Sequence, residues 1–157
     1  MTDQLAALEH DTDIPCLILP LVDCNLLLPT VTVAEMVSHK PLEKRPDAPD
    51  WFLGYFDWRN TKVPVLSYEV LNGSASTPMN PKGRIAVLNN TGINEKLPFV
   101  AIPTQGIPRL SRVGKEDIIE NDEIRKRPVD LMQVKVGVEE LVIPDIAALE
   151  NAYLHII

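Results

Sequence analysis

Cysteine is nearly absent from this chain. Cys16 and Cys24 are the two in 157 residues, and their spacing fits neither a C-x-x-C redox pair nor a zinc knuckle, so both read as reduced structural thiols. Long hydrophobic runs are missing as well: Pro15, Pro20 and Pro29 interrupt the most apolar stretch, which stays short of the roughly 20 residues a membrane helix needs. The N-terminal residues carry no basic n-region and no apolar h-region, so no secretory signal is read there. A cytoplasmic protein is expected, and the N-x-S/T matches at Asn72 and Asn89 are then chance. Positive charge is scarce, with 15 Lys and Arg against 22 Asp and Glu and a net charge of -7. That balance excludes unselective binding to nucleic acid or to anionic lipid, both of which require an excess of cations.

Familiar catalytic signatures are also missing. The chain has no GxxxxGK[ST] loop, no GxGxxG, no HExxH and no GxSxG, which removes the motif-borne nucleotide and hydrolase sites. His10, His39 and His155 are far apart and read as surface residues. A nucleophile built on Cys16 or Cys24 is the remaining enzymatic reading, and an apolar strand is a poor place for an activated thiolate.

Proline is abundant instead. Fourteen are scattered from Pro15 to Pro144, nearly twice the average frequency of about 5%, and they divide the chain into pieces too short for a helical bundle. Apolar residues make up 45% and charged residues 24%, the composition of one globular domain or two small lobes.

Strand-length apolar runs occur at Ile14 to Leu21 and Leu26 to Leu28 around an Asp23-Cys24-Asn25 turn, and again at Lys62 to Leu66, Arg84 to Leu88 and Leu97 to Ile102. Thr32-Val33-Ala34-Glu35 fits a helix capping box and a strand equally well. Residues 40–49 hold three prolines and five charges and read as an exposed connection, and 72–81 as a linker between two lobes. Pro64 requires an edge, a bulge or a barrel corner. The charged excursion 115–130 includes Arg125-Lys126-Arg127 between acidic residues, the pattern of a solvated mixed-charge loop. Met132, Val134, Val136 and Val138 then recur with a period of two, and Glu139-Glu140 reads as the turn that follows. Asp145 is the expected N-cap of a short final helix with Ile146, Leu149 and Tyr153 on one face.

Five of the eight aromatic residues lie between Trp51 and Trp58, a density that marks either core or interface. Trp58 and Arg59 are of the types enriched at interface hot spots. Glu35 and Arg59 each interrupt apolar surroundings and are candidates to pair.

The segment Pro49 to Leu66, with Gly54, Arg59 and Pro64, resembles the most characteristic stretch of the CheW family of chemotaxis coupling proteins, which reads P-x-x-(apolar)-x-G-x-x-N-x-R-G-x-x-(apolar)-P-(apolar)-(apolar)-D-L. Val33-Ala34-Glu35-Met36 is similar to the family's upstream V-x-E element. Departures occur at Asp57-Trp58-Arg59-Asn60, where glycine becomes asparagine; at Ser67-Tyr68, which replaces Asp-Leu; and at Phe99 to Gln105, where a second-lobe pattern is lost. The resemblance implies a mainly β chain with two small five-stranded barrels of SH3-like type: lobe 1 about 14–72, lobe 2 about 82–143, a helix at 145–154 and a flexible tail at 1–12. It also implies a non-enzymatic adaptor without cofactor or metal. Its partners would be the regulatory domain of a CheA-type histidine kinase and the cytoplasmic tip of a methyl-accepting chemoreceptor, with recruitment to receptor arrays at the inner membrane. Carried over by position, Glu35 and Arg59 form the partner-facing pair, with Val33 and Val63 beside them; Trp58 joins these candidates as a residue of hot-spot type. The departures imply an auxiliary member, such as those serving type IV pili and twitching motility. The alternative is a β-barrel binding module outside chemotaxis that has kept the fold and changed its partner.

Overall fold

The computed structural model describes residues 13–76 and 79–157; the tail expected over 1–12, with His10, lies outside the described residues. Apolar runs cut by prolines and turn residues become strands. In chain order these are β1 (Ile14–Pro20), β2 (Asn25–Pro29), β3 (Val33–Ser38), β4 (Phe52–Trp58), β5 (Thr61–Leu66), β6 (Arg84–Asn89), β7 (Phe99–Thr104), β8 (Arg109–Val113), β9 (Ile118–Glu120), β10 (Asp130–Val136) and β11 (Glu139–Pro144). Two short helices, α1 (Tyr68–Leu71) and α2 (Ile146–Leu154), complete the elements, with a 3-10 turn at Thr30–Thr32. No helix among the described residues is long and apolar enough to cross a membrane.

The strands form two sheets. One runs β8-β1-β2-β11-β10-β9, and the other β3-β6-β7-β5-β4. The first therefore has six strands where five were expected. The expected lobes are also not contiguous in sequence: β1 and β2 join the C-terminal strands, and the 72–82 boundary falls inside the second sheet. The reason is burial. Leu19, Leu26 and Leu28 face the space between the sheets while Cys16, Ile18 and Leu27 face the other way, so β1 and β2 need cover on both sides and sit within a sheet, not at its edge. β2 meets β11 in parallel at Leu26↔Val142.

Each sheet wraps a core of its own. Val37, Phe56, Val63, Val65, Ile85, Val87 and Ala101 come from all five strands of the second sheet and pack together. Residues from all six strands of the first do the same, with Ile18, Val134 and Leu141 at the centre. A larger core lies between the sheets and takes in both helices through Tyr68, Leu149 and Tyr153. The barrel-like lobes of the sequence reading thus appear as two curled sheets, joined face to face.

Local chemistry accounts for the ends of these elements. The ambiguous Thr32–Glu35 stretch resolves as a 3-10 turn running into β3. Asp145 caps α2, its Oδ1 accepting from the Ala148 N–H at 3.0 Å. Glu150 of α2 is fully buried and accepts from the Thr91 hydroxyl and N–H, which fastens the β6–β7 loop to the helix. The turn after β10 is Gly137-Val138 and not Glu139-Glu140, because Val136 pairs with Glu139. Gly137, at φ 65, takes the left-handed position that a two-residue hairpin demands, which leaves Val138 wholly exposed rather than on the strand face. Pro64 sits in an interior strand and not at an edge, next to a β-bulge in β4 between Phe52 and Gly54, one of the expected settings. It lies opposite Tyr55, whose N–H and C=O both turn outward to Glu43 at 2.8 Å, so no N–H is required of Pro64 there.

That same contact with Glu43 explains Gly54. Its φ is 136, and a Cβ there would lie 2.8 Å from the Glu43 carbonyl oxygen and 2.9 Å from the Leu42 Cβ. Gly54→Ala is expected to destabilise the fold by about 2–4 kcal/mol, combining backbone strain with a clash against main chain. An unchanged urea midpoint would show that the 42–43 segment moves aside freely.

Candidate functional site

The hairpin joining β4 and β5 closes through only two residues, Arg59 and Asn60, between the paired Trp58 and Thr61. Both have left-handed backbone, φ 49 and 62, the geometry whose twist matches a tight antiparallel hairpin. Asparagine tolerates this conformation well. Arginine does not, and a residue without glycine's freedom held there stores about 1–2 kcal/mol. The replacement of the usual glycine by Asn60 is accordingly harmless, and the strain falls on Arg59.

Two side chains hold that strained residue. The Arg59 guanidinium lies 4.7 Å from the centre of the Trp58 ring, and its Nη2 is 3.6 Å from Glu35 Oε1. Trp58 Nε1–H donates to the other oxygen of the same carboxylate, Glu35 Oε2. Trp58 in turn packs edge-on against Phe99 with ring centres 4.8 Å apart. Glu35 reaches the turn from β3, where a register shift between Val33 and Glu35 re-aims the strand. The Arg59 side chain stays 69% exposed and that of Glu35 40% exposed. An exposed pair at this separation contributes little to stability, about 0–1 kcal/mol. Its charges remain available to a partner.

Of the five candidate residues, Glu35, Trp58 and Arg59 are therefore in contact. Val33 lies half-buried against the inter-sheet core. Val63 is a correction: it is fully buried in the core of the second sheet, since the period of two on β5 sends Lys62 outward and Val63 inward. It cannot touch a partner without opening the sheet. Trp58 is 8% exposed, chiefly a wall of the site.

A second polar cluster was invisible in the sequence. Asp130, fully buried at the start of β10, accepts from Tyr68 OH at 2.6 Å and Asn72 Nδ2 at 2.9 Å through Oδ1. Its Oδ2 accepts from Arg127 N–H at 3.0 Å, Arg127 Nε at 3.2 Å and Gln133 Nε2 at 2.8 Å. Arg127 also reaches Asp23 at 2.8 Å and Cys24 Sγ at 3.3 Å. The solvated loop expected at 125–127 is thus wrong for Arg127, which is a structural tie between the β1–β2 turn and β10. Burial alone would raise the Asp130 carboxyl, but the hydrogen bonds from Tyr68, Arg127 and Asn72 outweigh it and hold it below the usual range. The sequence signal available was Ser67-Tyr68 in place of Asp-Leu. That Ser67 caps α1 through its Oγ and places Tyr68 and Asn72 on the carboxylate.

Neither cysteine is poised as a nucleophile. Burial raises the Cys16 thiol, and burial pushes Cys24 up to about 11 despite its bond from Arg127. Both thiols are free. With native protein at pH 8, both are expected to react with a thiol reagent at least about 100-fold more slowly than in urea; fast labelling of either would reopen the thiol chemistry.

A family model described as a CheW-like domain matches residues 15–151. The chain belongs to the CheW family. Among solved structures it is similar to the scaffolding protein TtCheW from Thermoanaerobacter tengcongensis, with a TM-score of 0.71 and 14% identity over 84% of this chain and 88% of that one. At that identity the likeness is one of fold. Comparison with curated protein sequences gives no match. Within the CheW family frame, the braced turn at Arg59 lies in the segment that carries the resemblance, while the Asp130 cluster takes in Tyr68, one of the positions where the sequence departs from the family pattern.

Proposed function

We propose that this chain is a non-enzymatic adaptor that couples chemoreceptors to a CheA-type histidine kinase, working in the cytoplasm at receptor arrays on the inner membrane. The observation that carries the reading is the exposed Arg59, braced by Glu35 and Trp58 on a strained turn inside a CheW-like fold. Holding an exposed cation in an unfavourable backbone conformation has no value for stability, and such strain concentrates where a side chain must be presented. The docking contacts are with the kinase's regulatory domain and the receptor's cytoplasmic tip, in reversible interfaces of about 1,200 Å² or less. The solved relative's description as a scaffolding protein supports the same reading. Departures at Phe99 to Gln105, on β7 of the sheet that carries the Arg59 turn, favour an auxiliary system such as one serving type IV pili over the principal flagellar one.

The test is calorimetric titration of the full chain against the regulatory domains of its own organism's CheA-type kinases. Saturable binding with a Kd of about 1–10 μM is expected, the range of transient signalling contacts. No binding to any of them would transfer the fold to the alternative reading, a binding module with a partner outside chemotaxis.

A further inference from the structure

The site presents three polar or charged residues, yet their geometry divides the work unequally. Glu35 accepts from the Trp58 indole through one carboxylate oxygen and holds the other 3.6 Å from Arg59. Trp58 has its single N–H donor spent on Glu35, one contact of its ring on Phe99 and another on the guanidinium. Trp58 has no polar group left for a partner, and Glu35, with one oxygen beyond hydrogen-bond distance of Arg59, offers acceptors only. Arg59 is the opposite case. Its tie to Glu35 runs through one terminal nitrogen at 3.6 Å, a charge contact longer than a hydrogen bond, and the guanidinium carries five N–H donors and no acceptor.

We infer that Trp58 and Glu35 are positioning residues and that Arg59 alone makes the polar contact, with a carboxylate on the partner. This deepens the adaptor reading and rests on it. A planar forked donor is matched by a carboxylate, which accepts two parallel N–H bonds. Bringing the fork to one orientation in advance removes rotamer entropy that binding would otherwise have to supply. The left-handed backbone at Arg59 fixes where its side chain departs, the Trp58 ring fixes the plane over which it lies, and the Glu35 charge fixes which way it leans. Lys62, the exposed cation flanking the turn on β5, turns to Glu43 at 3.6 Å and lies over the Tyr55 ring, which leaves the guanidinium as the cation of the turn.

Trp58→Phe keeps a ring and removes the N–H, so it separates positioning from packing. Calorimetry with the kinase regulatory domain is expected to give about tenfold weaker binding for Trp58→Phe, the value of one hydrogen bond to a charged group. In an Arg59→Ala background the same change should alter binding less than twofold, because its effect passes through Arg59. Affinity of the unmutated chain should also fall more steeply with added NaCl than that of Arg59→Ala. A Trp58→Phe effect of equal size in both backgrounds overturns the inference and makes Trp58 a contact; equal salt slopes overturn the carboxylate. A partner-free readout keeps the two readings distinct: the Arg59 side-chain protons, held over the Trp58 ring, should carry a ring-current shift in the NMR signal that Glu35→Gln reduces. If the unmutated chain binds no kinase domain the adaptor reading fails, and the NMR signal alone then decides the positioning. Should Trp58→Phe melt early, Glu35→Gln, which keeps an acceptor for the indole and removes the charge that holds Arg59, is expected to weaken binding by about tenfold in the unmutated background and by less than twofold in Arg59→Ala; an equal loss in both backgrounds makes Glu35 itself a contact.

Discussion

Asp130→Ala is expected to lower the melting temperature by about 6–20 °C, a loss of about 3–5 kcal/mol. The carboxylate is fully buried and accepts from Tyr68, Asn72, Gln133 and twice from Arg127. Removing it leaves a guanidinium and several neutral donors facing one another without an acceptor, the situation in which deletion of one partner of a buried pair costs most. For a domain of this size each kcal/mol moves the midpoint by about 2–4 °C, and a total stability of about 5–15 kcal/mol makes the change a large fraction of the whole. Asp130→Asn should recover little, since its amide group adds donors to a site already surrounded by donors. Differential scanning calorimetry measures both. A shift under 2 °C for Asp130→Ala would mean that water or a rotated Asn72 replaces the carboxylate.

The same residue sets an acid limit, and a neighbour opposes it. Asp130 is held below the usual carboxylate range in the folded chain. Its stabilisation is therefore present above the unfolded value of about 3.9 and lost as pH falls through the lower folded one. Glu69 of α1 is displaced the other way. It is 1% exposed and one carboxylate oxygen has no partner, so burial raises its carboxyl despite the bond from the Val22 N–H. A raised carboxyl contributes most below its unfolded value, about 4.3, and that contribution is lost as pH rises through the folded one. Glu69→Gln should accordingly remove a decline in stability with rising pH above about 4.3, while Asp130→Ala removes the fall below about 4.

These two carboxylates also mark where the sequence stopped being legible. Strand positions were readable because proline punctuation and apolar runs are local: the runs at Ile14 to Leu21, Leu26 to Leu28, Lys62 to Leu66 and Arg84 to Leu88 became β1, β2, β5 and β6. The Glu35–Arg59 pair was readable because the family motif and the two interruptions of apolar surroundings pointed at the same residues. The exchange of β1 and β2 into the C-terminal sheet was not, since a strand that is apolar on both faces says that it is covered and not by which partner. Arg127 and Asp130 were hidden for a related reason. A charge beside other charges in a loop looks solvated, and only the fold brings Tyr68 and Asn72, some sixty residues away, onto Asp130. Val63 shows the converse error, a residue placed at the surface because its neighbours in the motif are there.

Charge reversal at Arg59 should separate folding from docking more cleanly than any other single change. Arg59→Glu leaves an exposed side chain exposed and removes an ion pair worth about 0–1 kcal/mol, so the urea midpoint should move by an equivalent of no more than about 1 kcal/mol. Binding to the kinase regulatory domain should weaken at least about 100-fold, or about 2.7 kcal/mol, because the new carboxylate faces both Glu35 and the partner's own acceptor. Arg59→Gly supplies the complementary control. It relieves the left-handed backbone at φ 49, and is expected to leave stability unchanged or raised by up to about 1 kcal/mol while still abolishing the contact. A more stable protein that no longer binds is the signature of strain held for presentation. If instead Arg59→Glu unfolds the domain, the Glu35–Trp58–Arg59 cluster is a clasp between β3 and β4, and the docking surface lies elsewhere on the fold. If both variants bind within twofold of the unmutated chain, the turn carries no partner at all, and the strain at Arg59 is the by-product of a two-residue hairpin that has lost its glycine.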